Sequence, residues 1–527
     1  MRSLLPQKVH YYIYIFSLIL LVLGMPLSKF LMSLSQIILI CNWVLSGHLK
    51  SKFAQFFHNK AAMVLASLLL LHFFGLLYTS DYHYASNDIR IKIPLLLLPL
   101  ILSTSPPLLE KTVQLILKSF VAAILVGTFI STLILVGVIH RELLDIRNIS
   151  IFISHIRFAL LICIALFISV YLAKQSAAQK WKILYAAIAV WLMIFLVLME
   201  SVTGIAVLFV AVAVWLLYRI FKLKQPVLKY GILVVIAGIF IYSVVFIRAA
   251  VAAEAQTDVV DFDKLELYTA QGNAYFHDPG SKGLTENGHY IWIYYCEKEL
   301  KEEWQKRSKM DFNWKDKKGN VLRFTLTRFL ASKNLRKDAQ GLQQLSDEEI
   351  RAVERGVTNV NYQHVSSLGG RLHEILWEIN MYRQSGDANG HSLTQRFEYW
   401  KTAAGIIAEH PVIGVGTGDV QLAFDAQYEK NNSSLEKQWR FRSHNQYLSI
   451  AVAFGLLGLL WFLITLIYPM ICLHKAFDFL YITFFVVATV SFFTEDTLET
   501  QAGVTFYAFF NTFFLFCVNR KGSNAAI

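Results

Sequence analysis

The chain has 527 residues, 55% of them hydrophobic and only 16% charged, with a mean hydropathy of +0.47. Soluble domains carry roughly a quarter charged residues, so composition excludes an ordinary soluble fold and indicates a membrane protein. The net charge of +12 does not mark a nucleic-acid-binding face. Residues 249–443 hold about 25 basic and about 27 acidic side chains, so nearly all the positive excess lies on short loops between apolar segments, the pattern of membrane orientation. The five cysteines are scattered, with no CxxC or Cys/His cluster, which argues against a disulfide framework or a zinc site. Aromatic residues make up 14%, rich in Phe and Tyr, a composition suited to lipid-facing and interfacial positions.

The N-terminus, MRSLLPQK, is basic and leads into YYIYIFSLILLVLG without an A-x-A-like cleavage site, which predicts a retained first span. A span needs about 20 apolar residues, and about twelve candidates follow. They lie near 10–25, 28–46, 61–79, 91–104, 113–139, 157–173, 183–199, 204–221, 230–248, 445–473, 478–493 and 504–518. The fourth begins with the amphipathic DIRIKIP and is expected as a tilted or half-inserted helix. Basic residues fall on alternate loops: Lys50, Lys52 and Lys60; Lys174, Lys180 and Lys182; Arg219, Lys222, Lys224 and Lys229; and the tail Arg520-Lys521. The positive-inside rule puts these and both termini in the cytoplasm, and residues 249–443 outside, in the periplasm or its equivalent. The expected architecture is an all-α polytopic membrane protein. About nine spans occupy 1–248, a large, mostly helical periplasmic loop fills 249–443, and about three spans occupy 444–527.

The long insert has no Pro/Gly/Ser low complexity and mixes aromatic with charged residues, so it should fold. In LSDEEIRAVERG, Ser346 and Glu349 form a capping-box pattern that ends at Gly356. RLHEILWEINMYRQ places Leu372, Ile375, Leu376 and Ile379 on one helical face. Ser392 and Gln395 form a second capping box, opening a helix that carries Arg396 and closes at Pro411. The alternation in HYIWIYYCEK suggests a short strand, and no repeat of fixed period is visible.

His444 is the sharpest candidate for chemistry. It stands where the insert meets the tenth apolar segment, and a partly dehydrated site there could hold a neutral imidazole as a base. The competing explanation is an interfacial histidine that caps the helix together with Asn445. Arg396, one turn into a capped helix, suits bidentate phosphate binding; the alternative is an exposed arginine paired with Glu398 or Asp387. Arg442, two residues before His444, could serve the same anion. Arg157, with His155 nearby, sits at the outer end of the sixth span, where an arginine either faces a polar cavity or snorkels to the headgroups. The run Gly414-Val-Gly416-Thr-Gly418 matches neither GxGxxG after a strand nor GxxxxGK[ST], so it reads as a flexible turn allowing close backbone approach. Glu495, Asp496 and Glu499 form an acidic cluster between the last two spans; a solvated loop competes with a cation or acceptor site.

His444-Asn445, nine residues, then Gly455-Leu-Leu-Gly458 resembles the H-[NSQ]-x9-G-x-x-[GTY] pattern of O-antigen ligases. The stretches RFEYWK from Arg396, EHPVIGVG from Glu409 and FTEDTL from Phe493 are similar to the rest of the O-antigen ligase/polymerase superfamily. Motif similarity covers about 390–510. The resemblance implies a GT-C-like membrane glycosyltransferase in the bacterial inner membrane, working in cell-envelope polysaccharide and lipopolysaccharide biosynthesis. Such enzymes take a glycan from an undecaprenyl-diphosphate carrier and, as ligases, attach it to lipid A-core; polymerases attach it to another repeat unit. It further implies that arginines (here Arg157, Arg396 and Arg442) bind the diphosphate, that the motif histidine, His444, assists the acceptor hydroxyl in an inverting transfer, and that neither metal nor cofactor is needed. The chain departs from the pattern at Ser201-Val202, where relatives commonly carry Ser-Arg; Arg157 or Arg248 is expected to compensate. An exopolysaccharide polymerase, protein O-glycosylation and a lipid-linked glycan transporter remain as alternatives.

Overall fold

The computed structural model describes residues 5–141, 143, 146–221, 225–254, 256–278, 280, 284–362 and 368–518; Lys222, Lys224, Arg520 and Lys521 lie outside them. Among the described residues the fold is mostly helical with almost no strand, and backbone contacts divide it into two units. The first comprises Met1–His140, Ile149–Lys224 and Arg396–Ile527. It opens with a hairpin of α1 (Gln7–Leu27) and α2 (Lys29–Leu45), turned at Ser28, whose hydroxyl accepts from the Leu31 N–H. α2 bends by 111° into α3 (Leu49–His58). α4 (Lys60–Phe74) continues as a 3-10 turn to Tyr78, followed by α5 (Tyr82–Lys92) and α6 (Pro94–Thr104), whose first residue is a proline with no N–H to lose. The long helices α7 (Glu110–Leu135), α8 (His155–Gln175), α9 (Gln179–Leu198) and α10 (Val202–Phe221) complete its N-terminal half.

The second unit, Arg141–Asn148 and Gln225–Gln395, contains α11 (Pro226–Glu254), α12 (Glu297–Arg307), α13 (Leu322–Ser332), α14 (Ala339–Gln343), α15 (Asp347–Glu354) and α16 (Leu368–Ser385). Its helices α12 to α15 close over a core that includes Trp304, Phe312, Leu326 and Phe329, all fully buried. The capping box at Ser346 and Glu349 forms, with both reciprocal hydrogen bonds present. The expected strand shrinks to His289–Tyr290, paired with Thr285–Glu286, because the neighbouring apolar side chains turn into the helical core.

Within α17 (Ser392–Glu409) the chain rejoins the first unit, from Arg396 onward, and continues through α18 (Val420–Lys430), α19 (Gln446–Cys472), α20 (Phe479–Ser491) and α21 (Gln501–Phe516). α21 is buried along nearly its whole length, and its phenylalanines interlock with other rings: Phe510 lies 4.9 Å from Phe120 and Phe506 5.8 Å from Phe484. Many of the aromatics therefore fill the centre of the bundle, although Phe16, Phe30 and Phe129 face outward.

Among the described residues, seven helices are long and apolar enough to cross a membrane: α1, α4 with its 3-10 turn, α7, α8, α9, the first part of α11, and α19. The bent α2–α3 pair makes eight if it is one span. The expected count of twelve is not reached. Each of the twelve apolar segments is helical, but α6, α20 and α21 have 11, 13 and 16 residues, or about 16, 20 and 24 Å at 1.5 Å per residue, against about 30 Å of hydrocarbon.

α19 is also not continuous. At Gly455 the backbone leaves helical geometry, with φ 64° and ψ −167°. The groups freed there are taken up by residues 411–416. Val415 and Gly416 donate N–H to the carbonyls of Val452 and Ala453 at 3.0 and 2.8 Å, and Leu456 and Leu457 donate to Pro411 and Val412 at 2.8 and 3.3 Å. A Cβ on Gly455 would collide with the Val412 carbonyl, and one on Gly414 with the Val452 carbonyl. The glycine run therefore makes the close backbone approach expected of it, with its hydrogen bonds completing the broken helix. Gly455→Ala should lower the unfolding temperature in detergent, by a penalty of about 1–3 kcal/mol for the backbone conformation alone plus the clash. Gly231→Ala, on α11 with open space around it, should be neutral or slightly stabilising.

Candidate functional site

The segment 439–445 is held by side chains that reach its backbone. Tyr399 and Trp400 of α17 donate to the carbonyls of Trp439 and Ser443 at 2.9 and 3.0 Å, and Tyr428 of α18 donates to that of Phe441 at 2.7 Å. On the other side of His444, Asn445 caps α19 by accepting from the Leu448 N–H and donates to the carbonyl of Phe493 at 3.1 Å. The Gln446 N–H meets the carbonyl of Phe492 at 2.8 Å. Pinned on both flanks, His444 adopts φ 45°, a left-handed conformation that costs about 1–3 kcal/mol at a non-glycine residue and recurs at functional sites. The cap belongs to Asn445, which leaves the imidazole unused by the helix.

The ring of His444 lies 5.6 Å from that of Tyr399, and its Nδ1 is 3.6 Å from Asp496 Oδ1, a charge contact longer than a hydrogen bond. Arg396 points to the same place: its Nη2 is 3.4 Å from Glu495 Oε1 and 3.5 Å from the carbonyl of Thr494. Arg157, at the start of α8, is half-buried beside Met25, Thr497 and Gly503, and its charge acts on Glu495. Burial pushes the Glu495 carboxyl above its ordinary value; His444, Arg396 and Arg157 pull it back only in part. Burial also pushes on Asp496, but His444 and Arg442 outweigh it and leave that carboxyl below its ordinary value. Two adjacent carboxylates are thus driven apart in acidity, as at many catalytic pairs.

Behind them lies a buried charge network in which Arg442 and Glu499 join Lys92 and Asp88, two residues that sequence reading missed. Lys92, 1% exposed, donates to Asp88 on its own helix and to Glu499 Oε2 at 2.9 Å. Arg442 reaches the same oxygen at 3.3 Å, and Gln446 donates to Glu499 Oε1 at 3.2 Å. Burial pushes the Glu499 carboxyl up, but Lys92 and Arg442 overcome it and hold the group well below the carboxylate range. Asp88 and Lys92 stand four residues apart, a spacing readable as a helical ion pair, but nothing local reveals that they turn inward to a residue near the other end of the chain. The amphipathic segment DIRIKIP, expected as a tilted or half-inserted helix, buries two of its charges, Asp88 and Lys92.

One nitrogen of His444 and one oxygen each of Glu495 and Asp496 lie within 4.8 Å of one another, so this trio could hold a cation. Arg396 already approaches the Glu495 oxygen and competes for it. Asn445, Gly455, Gly458, Gly414 and Gly416 all belong to the framework of the broken α19. Ser201 is buried at the start of α10, where its hydroxyl accepts from the Gly204 N–H. Arg248 is exposed on α11 of the second unit.

These features define a polytopic helical membrane protein with a polar site built where a loop enters a broken helix. Residues 344–463 match the family model described as O-antigen ligase, which supports placing the chain in the O-antigen ligase superfamily and, generally, a ligase- or polymerase-type function. The matched region includes Arg396, the glycine run, Arg442, His444 and both motif glycines of α19; Arg157, Lys92 and the 495–499 carboxylates lie outside it. Members of this family are membrane glycosyltransferase-like enzymes, acting on lipid-linked glycans and their acceptors. No curated protein matches the chain.

Removing the Glu499 charge takes the shared carboxylate away from Arg442 and leaves Lys92 with Asp88 alone, and breaking a buried pair typically costs about 3–5 kcal/mol. Glu499→Gln should therefore unfold at a markedly lower temperature than wild type. Because the folded-state carboxyl is depressed, its contribution is complete above the ordinary carboxylate range and fades only as pH falls through its own lower value. The gap between wild type and variant should not narrow between about pH 8 and pH 5, where Asp88, raised to about 6 by burial and Glu499, titrates in the wild type, and it should close only in stronger acid.

Proposed function

We propose that this protein is an inverting glycosyltransferase that moves a glycan from an undecaprenyl-diphosphate carrier to an acceptor hydroxyl at the outer face of the bacterial inner membrane, with lipid A-core as the acceptor. The observation that carries this reading is the convergence of His444 and Arg396 on the Glu495–Asp496 pair, within a chain whose matched segment is O-antigen ligase-like. In the proposed reaction the acceptor oxygen attacks the anomeric carbon from the face opposite the diphosphate. The new glycosidic bond forms as the bond from that carbon to the phosphate oxygen breaks. His444, its Nδ1 side turned to Asp496, takes the acceptor proton on Nε2, and the carboxylate stabilises the imidazolium, the role of the third member of a catalytic triad. Arg396 and Arg157 take up the negative charge that develops on the diphosphate. Glu495 is suited to hold Arg396 in place and to yield it, since its raised pKa makes the carboxylate a weak competitor for the guanidinium. Arg442, tied to Glu499, contributes positive potential from behind. In this reading the large loop lies in the periplasm and both termini in the cytoplasm.

Transfer assays on variants confirmed to reach the membrane test the site. His444→Ala should lose about 10² to 10⁴ in rate, and Arg396→Ala about 10² to 10³, the scale of a lost donor to a developing oxyanion. Full activity in both would sink the assignment. Because arginines, not a cation, are assigned to the leaving group, activity should survive chelation by EDTA; abolition that added divalent metal restores would instead assign His444, Glu495 and Asp496 to a metal. Deletion in the native cell should remove all O-chain from the core on glycolipid electrophoresis, whereas a core bearing a single repeat would mark a polymerase.

A further inference from the structure

A second polar cavity of about 470 Å³ lies in the first unit among α1, α2, α3 and α6, and the proposed reaction does not use it. It sits at the opposite end of α1 from Arg157. Met25 shares a pocket with Arg157 and Thr497, whereas His10, fifteen residues earlier on the same helix, lines this cavity; the two positions are about 22 Å apart along the axis. The cavity therefore lies at the far end of α1 from the proposed site, beside α3, which carries Lys50 and Lys52.

Its lining is rich in hydrogen-bonding groups and contains no aspartate or glutamate. Lys52 stands over the ring of Trp43 and donates to the Trp43 carbonyl and the Ser46 hydroxyl; an ammonium has three donors, so one remains. α3 begins at the cavity wall beside His48 and Ser51, with no side-chain cap and no acid in its first turn. His10 is 4% exposed. Its Nδ1 is 2.7 Å from Asn42 Oδ1, and since the Asn42 amide nitrogen donates to the His10 carbonyl, Oδ1 must accept from Nδ1. Among the described residues, Nε2 is then left with a lone pair and no hydrogen-bond partner, and the Tyr11 hydroxyl also has none.

We infer that this cavity binds a phosphate ester that also carries a free hydroxyl. The anion would lie against Lys52, the Tyr11 hydroxyl and the first turn of α3, and the ligand hydroxyl would donate to Nε2 of His10. Uncompensated buried polar groups are costly unless a ligand or water satisfies them, and a cationic, carboxylate-free wall selects an anion. The chemistry suits a phosphatidylglycerol-type headgroup or a soluble ester such as glycerol 3-phosphate.

Native mass spectrometry of the full chain in neutral detergent tests this with phosphatidylglycerol and phosphatidylcholine. Phosphatidylglycerol should be retained roughly tenfold more, the scale of one charge-assisted hydrogen bond. Lys52→Gln should lose that preference. So should Gln55→Glu, which adds a carboxylate at an exposed lining position and does not disturb the core. Equal retention of the two lipids, or a preference that survives in both variants, overturns the inference. Displacement of the bound lipid by millimolar glycerol 3-phosphate would assign the soluble ester as sufficient; its failure to displace would assign the lipid.

Discussion

An open backbone group inside an apolar bundle costs several kcal/mol, and this constraint organises the first unit. α19 breaks at Gly455, and its freed amides and carbonyls are satisfied by one partner, residues 411–416. That segment must run alongside the break, so the end of α17 and the start of α18 are fixed relative to α19. The segment is anchored further along as well: Asp419 accepts from the N–H groups of Ser80 and Asp81, and Tyr78 donates to the Ile413 carbonyl at 2.7 Å. The stretch beyond α4 is thereby joined to the same frame. Glycine at 414 and 455 is needed because two backbones meet there without room for a Cβ.

The frame places charge where charge would otherwise be expensive. Glu499 is held by Lys92 and Arg442 from two different parts of the chain, and Gln446 bridges it to the first turn of α19. A buried carboxylate so compensated can stay ionised, and it anchors the loop that presents Glu495 and Asp496. His444 is then bent into a strained conformation by hydrogen bonds on both flanks, and its imidazole is directed to Asp496 and not to the helix cap. The geometry thus links a backbone requirement in the membrane to the orientation of one side chain.

Much of this was legible in the sequence because it is local. Apolar runs longer than a strand can only be satisfied as helices, and every candidate segment is one. The box at Ser346 and Glu349 is three residues wide and forms as written. The junction at His444 and Asn445 is marked by a polar pair before a long apolar run, and Asn445 does cap α19. Helix lengths were less legible, because hydropathy registers where apolar residues continue but not where the backbone bends, as between α2 and α3 or at Gly455.

By itself the sequence determined that the chain is a helical membrane protein, that a folded insert interrupts its apolar segments, and that a histidine stands at the mouth of one of them. Composition, periodicity and capping act over a few residues, so they survive without knowledge of the fold. Only the tertiary structure decided that Lys92 meets Glu499 across 407 positions, that Arg396 reaches Glu495, and that a glycine run completes a broken helix. Those pairings depend on which distant segments the burial of apolar surface brings together, and no local preference encodes them.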